Sequence, residues 1–214
     1  MDEEVTIIDS NTRNEKIKNF FINNKKIFII SISIILILLI GYFSFEELKH
    51  KNRIKLANQF NSIIIDFNSG KKDNTVDKLK KIINKKDVTY SPLALYFLLD
   101  NNLTQNKTEV NILFDILINK TNLEKEIKNL IIYKKALYNS DFLSENDLIQ
   151  ALSPITNSDS IWKSHALYLI AEYFFSKNEK EKSKNFFEEI LTLQNINNDI
   201  KLESQKRINR DFSE

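Results

Sequence analysis

Cysteine is absent from this chain of 214 residues. That excludes disulfide scaffolds, thiolate zinc sites and cysteine nucleophiles. Glycine occurs only at 41 and 70, so no glycine-rich phosphate loop can be built. Proline also occurs only twice. Sheets and hairpins use glycine and proline for their tight turns, so their scarcity points to helices joined by short polar links. The two histidines, His50 and His165, lie far apart, and neither has a partner at ligand spacing. Net charge is only +2, with 31 basic residues against 29 acidic ones, which lacks the basic excess of a nucleic-acid binder. Acidic pairs such as Glu188 and Glu189 are neighbours on a helix and diverge, so they read as surface charge. No catalytic constellation remains. The chain reads as a non-enzymatic protein with no cofactor, metal or small-molecule substrate.

What the chain does have is 42% hydrophobic and 28% charged residues, the balance of a folded domain. Asn, Ile and Lys are abundant in every segment without forming a tract, so a single Lys or Asn carries little information. Residues 27–45 read IFIISISIILILLIGYFSF, 19 residues without a charge. A helix of that length, at about 1.5 Å per residue, matches the hydrocarbon thickness of a bilayer. Lys25 and Lys26 close one end; Glu46, Glu47 and Lys49 close the other. Tyr42 and its neighbouring Phe residues sit where an aromatic belt belongs. A cleavable signal peptide would be shorter and would end in small residues, whereas this run ends Gly-Tyr-Phe-Ser-Phe-Glu-Glu. The segment therefore reads as a permanent anchor. It divides the chain into a cytoplasmic segment 1–26, a transmembrane helix 27–45 and an extracytoplasmic helical domain 46–214. The short amino-terminal segment favours that orientation; basic residues discriminate little, with Arg13, Lys16, Lys18, Lys25 and Lys26 before the run and Lys49, Lys51, Arg53 and Lys55 after it.

Beyond the anchor, apolar residues recur at helical spacing. The first helix is expected over 46–68 with Ile54, Ala57, Phe60, Ile64 and Phe67 as its stripe, closed by Gly70. A short helix carrying Val76, Leu79, Ile82 and Ile83 follows. Ser91-Pro92 reads as a cap and first helical residue. Further helices are expected over 108–118, from Thr121-Asn-Leu-Glu124 as a capping box, over 144–152 until Pro154 stops it, and over 160–177, 179–194 and 199–212. Helix pairs repeated about every 35 residues suggest a tetratricopeptide-like array of helical hairpins, with an irregular bundle as the alternative. The pair at 160–194 fits best. Leu167, Ile170, Ala171 and Phe174 lie in its first helix, and Ser183, Phe187 and Ile190 in its second. Small residues at 171 and 183 would let the helices approach closely, and Asn178 in the turn tolerates a left-handed backbone.

Two surfaces are candidates for binding. Lys71, Lys72, Lys78, Lys80, Lys81, Lys85 and Lys86 could meet an anionic partner, although Asp73, Asp77 and Asp87 dilute them and a solvated face is the simpler reading. The other is the stripe His165, Tyr168, Glu172 and Phe175, offset from the core stripe of the same helix. In a tetratricopeptide array it would line the protein-binding groove. Packing against the preceding or final helix is an equal alternative.

These features together resemble the YfgM-like family of ancillary SecYEG translocon subunits, whose tetratricopeptide-like domain is related to that of the cell-division coordinator CpoB. The resemblance rests on the lead Met1-Asp-Glu-Glu-Val5 through Lys16-Ile-Lys-Asn-Phe20-Phe21, on Gly41-Tyr42 at the end of the anchor, on Val76-Asp-Lys-Leu79 to Ser91-Pro-Leu-Ala-Leu-Tyr96, and most specifically on the block 162–191. The middle of the domain departs from it by lacking the small residues of a regular repeat. The resemblance implies a single-pass protein of a Gram-negative inner membrane, held in the bilayer by its anchor. Its periplasmic domain would contact translocon subunits and periplasmic chaperones. A scaffold of another envelope assembly, in division or cell-wall synthesis, is the alternative. The family supplies no residue-level motif to carry over.

Overall fold

The computed structural model describes residues 2–212, with side chains from residue 13 onward; the side chains of the acidic lead Met1-Asp-Glu-Glu-Val5 lie outside the described residues. The described residues form ten helices and no strand. Two compact units divide between Lys55 and Leu56.

The first unit contains α1 (Asp2–Asn23) and the leading part of α2 (Lys25–Asn68). Here the helix reaches Asn23 and pauses only at Asn24, whose side-chain amide donates to Phe20 O (2.8 Å). Helix α2 is long and apolar enough to cross a membrane, and its most apolar stretch has no buried residue. Side chains from Ile29 through Phe45 are exposed. The Ser33 hydroxyl donates to Ile29 O (2.9 Å), so it presents no unbonded donor to an apolar surrounding.

The second unit begins within α2 and continues through α3 (Thr75–Ile83), α4 (Tyr90–Asp100), α5 (Lys107–Lys120), α6 (Lys125–Asn139), α7 (Glu145–Thr156), α8 (Lys163–Ser176), α9 (Lys180–Thr192) and α10 (Asn198–Asp211). Successive helices from α3 onward pack on one another, and α10 folds back to touch both α9 and α8. One core runs from Leu56 and Ile63 to Ile131; a second gathers Leu148, Leu152, Ile155 and Phe174; a third, at the far end, joins Leu167, Ala171, Phe187 and Ile190 to Ile200, Ile208 and Phe212. Burying each large side chain in these cores contributes roughly 1.5–3 kcal/mol.

Several local expectations change. On α2 the packed stripe is Leu56, Phe60, Ile63 and Phe67, while Ile54 is exposed. The start of α4 is organised by Asp87, whose Oδ1 accepts from the N–H groups of Thr89 and Tyr90 (2.8 Å each). Ser91 is instead buried, donating through Oγ to Ile82 O (2.9 Å), and Pro92 lies inside the first turn, where no N–H is needed. Thr121 closes α5, its hydroxyl donating to Ile116 O (3.1 Å), so it does not cap α6. Pro154 does not stop α7, which continues to Thr156. The carbonyl deprived of its partner by Pro154 is that of Gln150, and it accepts from the Ser153 hydroxyl (2.9 Å).

A candidate docking cleft at the carboxy-terminal end

The hairpin of α8 and α9 positions the candidate residues. Ala171 and Ser183 are fully buried at its crossing, and the Ser183 hydroxyl donates to Ala171 O (2.8 Å). The turn has left-handed Asn178 (φ 62°). Glu179 N donates to Phe174 O (2.9 Å) and Asn178 N to Phe175 O (3.0 Å), the paired bonds of a Schellman closure. These bonds hold α8 rigidly against α9, and with it the stripe of residues 165, 168, 172 and 175.

The structure divides that stripe. Tyr168, Glu172 and Phe175 lie beneath α10. Arg207 donates from Nε to Glu172 Oε1 and from Nη2 to Glu172 Oε2, each at 2.7 Å, and its third nitrogen pairs with Asp211. The guanidinium lies 4.1 Å from the centre of the Phe175 ring, and Phe175 meets Phe212 edge-on at 5.8 Å. Tyr168 packs edge-on against Phe187. Burial, then the charge and hydrogen bond of Glu172, push the Tyr168 hydroxyl up to about 12, so it remains a neutral phenol. At these three positions the final helix of the chain occupies the face that the stripe offers.

His165 is different. It borders an open cleft of about 490 Å³ lined by Ile161, Trp162, His165, Asn195, Ile196 and Asn197. Trp162 and His165 have ring centres 5.1 Å apart, and Tyr133 of α6 stacks on Trp162 at 6.3 Å. Burial lowers the His165 pKa below its ordinary value of 6.5, so the ring enters the cleft uncharged at neutral pH. The loop before α8 is fastened by Glu126, which accepts from the Ser160 hydroxyl (2.7 Å) and from Ile161 N (3.2 Å). That leaves the Ile161 side chain 61% exposed at the rim. Across the cleft, Asn197 accepts from the N–H groups of Asp199 and Ile200 and caps α10.

The arrangement presents stacked rings, two isoleucines and two asparagines, which suits an apolar or aromatic side chain with polar contacts at its edge. Ser164 Oγ and His165 Nδ1 are buried without a hydrogen-bond partner among the described residues. As sequence neighbours on a helix they point in different directions, so they do not form a nucleophile–base pair. Among the described residues no group of three or more histidines and carboxylates could hold a metal. In the lysine-rich stretch Lys80 is paired with Glu109 and Lys72 lies over Phe67 at 4.9 Å.

The sequence reading missed Trp162 and the 195–197 loop as cleft residues. The single tryptophan of the chain was the available signal for the first; the loop has no such mark, because only the return of α10 brings it opposite α8. No protein-family model, curated protein or solved structure matches this chain.

Proposed function

We propose that this protein is a membrane-anchored protein–protein interaction module, serving as an ancillary subunit of the SecYEG translocon and assisting the handling of secreted proteins. In this reading residues 27–45 cross the inner membrane, residues 1–26 are cytoplasmic, and the helical domain stands in the periplasm as a tetratricopeptide-like array. The observation that carries the interaction role is the open cleft of Ile161, Trp162 and His165 at the end of a rigid hairpin. Rigid rings with an uncharged polar edge lose little conformational entropy when a partner side chain enters. The Ala171–Ser183 crossing and the left-handed Asn178 support the tetratricopeptide-like description of that hairpin. Tethering supports the translocon assignment physically. Confinement beside a channel raises effective concentration, so weak and releasable contacts suffice.

Crosslinking in native membranes, followed by purification of the full chain, tests the reading. Translocon subunits are expected in the crosslinked fraction, and Trp162→Ala should reduce their yield. Recovery of division or cell-wall proteins in their place would reassign the module to another envelope assembly; recovery of no membrane partner would remove the function.

A further inference from the structure

The last three turns of α1 carry an exposed apolar arc. Ile17, Phe20 and Phe21 share one side of the helix by their spacing and are 48%, 57% and 53% exposed. Phe21 stacks on Phe28 of α2 (ring centres 4.9 Å) and Phe20 meets Phe28 edge-on (6.0 Å), so the arc continues across Asn24 to the foot of the apolar run. Cations border it. At helical spacing Lys16 falls on one flank and Lys18 on the other, while Arg13 lies one turn earlier on the arc itself; Lys25 follows at the start of α2. Glu15 and Asn19 occupy the far side, together with the exposed Ile22. Residues 13–26 hold five basic residues against Glu15 alone, whereas residues 2–9 hold Asp2, Glu3, Glu4 and Asp9 and no base. The positive charge is concentrated beside the anchor.

Rings along one line with lysines on both edges are what a helix needs to lie in a membrane interface. The rings enter the acyl boundary, and the lysine stems reach outward to headgroups. Phe20 lies about 10 Å of helix before Ile27 at ~1.5 Å per residue, close enough for a helix tilted at Asn24 to keep its rings within the roughly 5–8 Å headgroup zone on each side of the hydrocarbon. We propose that residues 13–26 form an interfacial lipid-binding element that gathers anionic phospholipid headgroups around the foot of the anchor. This inference rests on the reading that residues 27–45 span the bilayer. The occupant is lipid because the arc adjoins the apolar run and the flanking charges are of one sign. The acidic residues 2–9 confine the attraction to the turns nearest the membrane.

The absence of native cysteine makes the test direct. The full chain is prepared with one spin-labelled cysteine at a time, Phe21→Cys, Asn19→Cys or Leu36→Cys, in nanodiscs of phosphatidylcholine with and without phosphatidylglycerol. Accessibility to oxygen, which dissolves in lipid, is compared with accessibility to a water-soluble nickel chelate. Adding phosphatidylglycerol should raise the oxygen-to-nickel ratio severalfold at position 21 and leave position 19 in water. Lys16→Gln, Lys18→Gln and Lys25→Gln should each reduce that phosphatidylglycerol-dependent rise at position 21. Ile17→Cys repeats the measurement if loss of Phe21 unsettles the helix. Equal ratios with and without phosphatidylglycerol, or equal ratios at 19 and 21, overturn the lipid element. A Leu36 label that is open to nickel removes the spanning segment and this inference with it; a Leu36 label in lipid beside a position 21 in water removes this inference alone.

Discussion

Arg207 of α10 grips Glu172 of α8 through two parallel hydrogen bonds of 2.7 Å, reaching across 35 positions of sequence. The Arg207 side chain is 13% exposed and that of Glu172 35%, so the pair is partly withdrawn from water and little weakened by screening. Its planar fork matches the carboxylate, and the Phe175 ring beneath it completes the seat. This contact fixes α10 over the α8 stripe and so holds the preceding loop of Asn195, Ile196 and Asn197 as one wall of the cleft.

Arg207→Ala should therefore free α10 before the rest of the domain unfolds. A double-mutant cycle with Glu172→Gln is expected to give a coupling of about 1–3 kcal/mol in urea unfolding. Arg207→Lys should recover little, because an ammonium cannot make both bonds at once. Hydrogen exchange should show early loss of protection in α10 for Arg207→Ala. Uniform loss through α5 and α6 would mean that the contact does not act on α10 in particular.

The crossing of α8 and α9 sets a steric limit. Ala171 and Ser183 are both 0% exposed, so Ala171→Leu adds three carbons where there is no space and should cost about 1–3 kcal/mol. Ser183→Ala is milder, removing only the hydroxyl that donates to Ala171 O, and should cost about 1 kcal/mol. Thermal melts of the full chain in detergent check both. An unchanged melting temperature for Ala171→Leu would show that the helices do not pack as closely as this.

Two rings on α8 give opposite pH dependences. Tyr168 is raised to about 12 in the folded chain against its ordinary 10, by burial first and then by Glu172. A raised pKa means that the fold retains the proton more strongly than the unfolded chain. The stabilisation is complete below pH 10 and is lost as pH rises through about 12. Tyr168→Phe should flatten the alkaline loss in part only, because burial and Asp100 raise Tyr96 to about 12 as well. His165 is lowered from 6.5 by burial, so its stabilisation is present above pH 6.5 and lost as pH falls through the lower folded value. His165→Phe should reduce the acid slope just below pH 6.5. Melting curves across both ranges decide the matter, and an unaltered slope in either variant removes the corresponding ring from the account.

The helical class and most helix positions were legible because apolar spacing follows from burial, which local sequence reports well. What failed was punctuation. Ser91-Pro92 and Thr121-Asn-Leu-Glu124 match local caps by pattern, yet both hydroxyls donate to carbonyls of the preceding helices, those of Ile82 and Ile116. Pro154 looked like a stop until Ser153 took up the carbonyl that it orphaned. On α2 the stripe through Leu56 and Ile63 could not be chosen in advance over Ile54 and Ile64, because isoleucines surround both. Asn178 was legible because the left-handed turn is a local demand. The stripe at 165, 168, 172 and 175 was legible as a face; its division by α10 depends on Arg207, which lies far away in sequence.

Every functional reading depends on the side of the membrane on which the helical domain stands. Asp159 is exposed in the short link before α8, so a lone Asp159→Cys should react with a maleimide reagent without perturbing the core. In spheroplasts with an intact inner membrane, a membrane-impermeant maleimide is expected to label it fully, and carbonate washing should leave the chain in the membrane fraction. Replacing Leu36 and Ile37 with arginine should release it, since each arginine costs about 2.5–3.5 kcal/mol at the centre of a spanning helix. Labelling of Asp159→Cys only after the membrane is opened would place the domain in the cytoplasm. The cleft at Trp162 would then meet cytoplasmic partners, and the secretion role would lose its substrate.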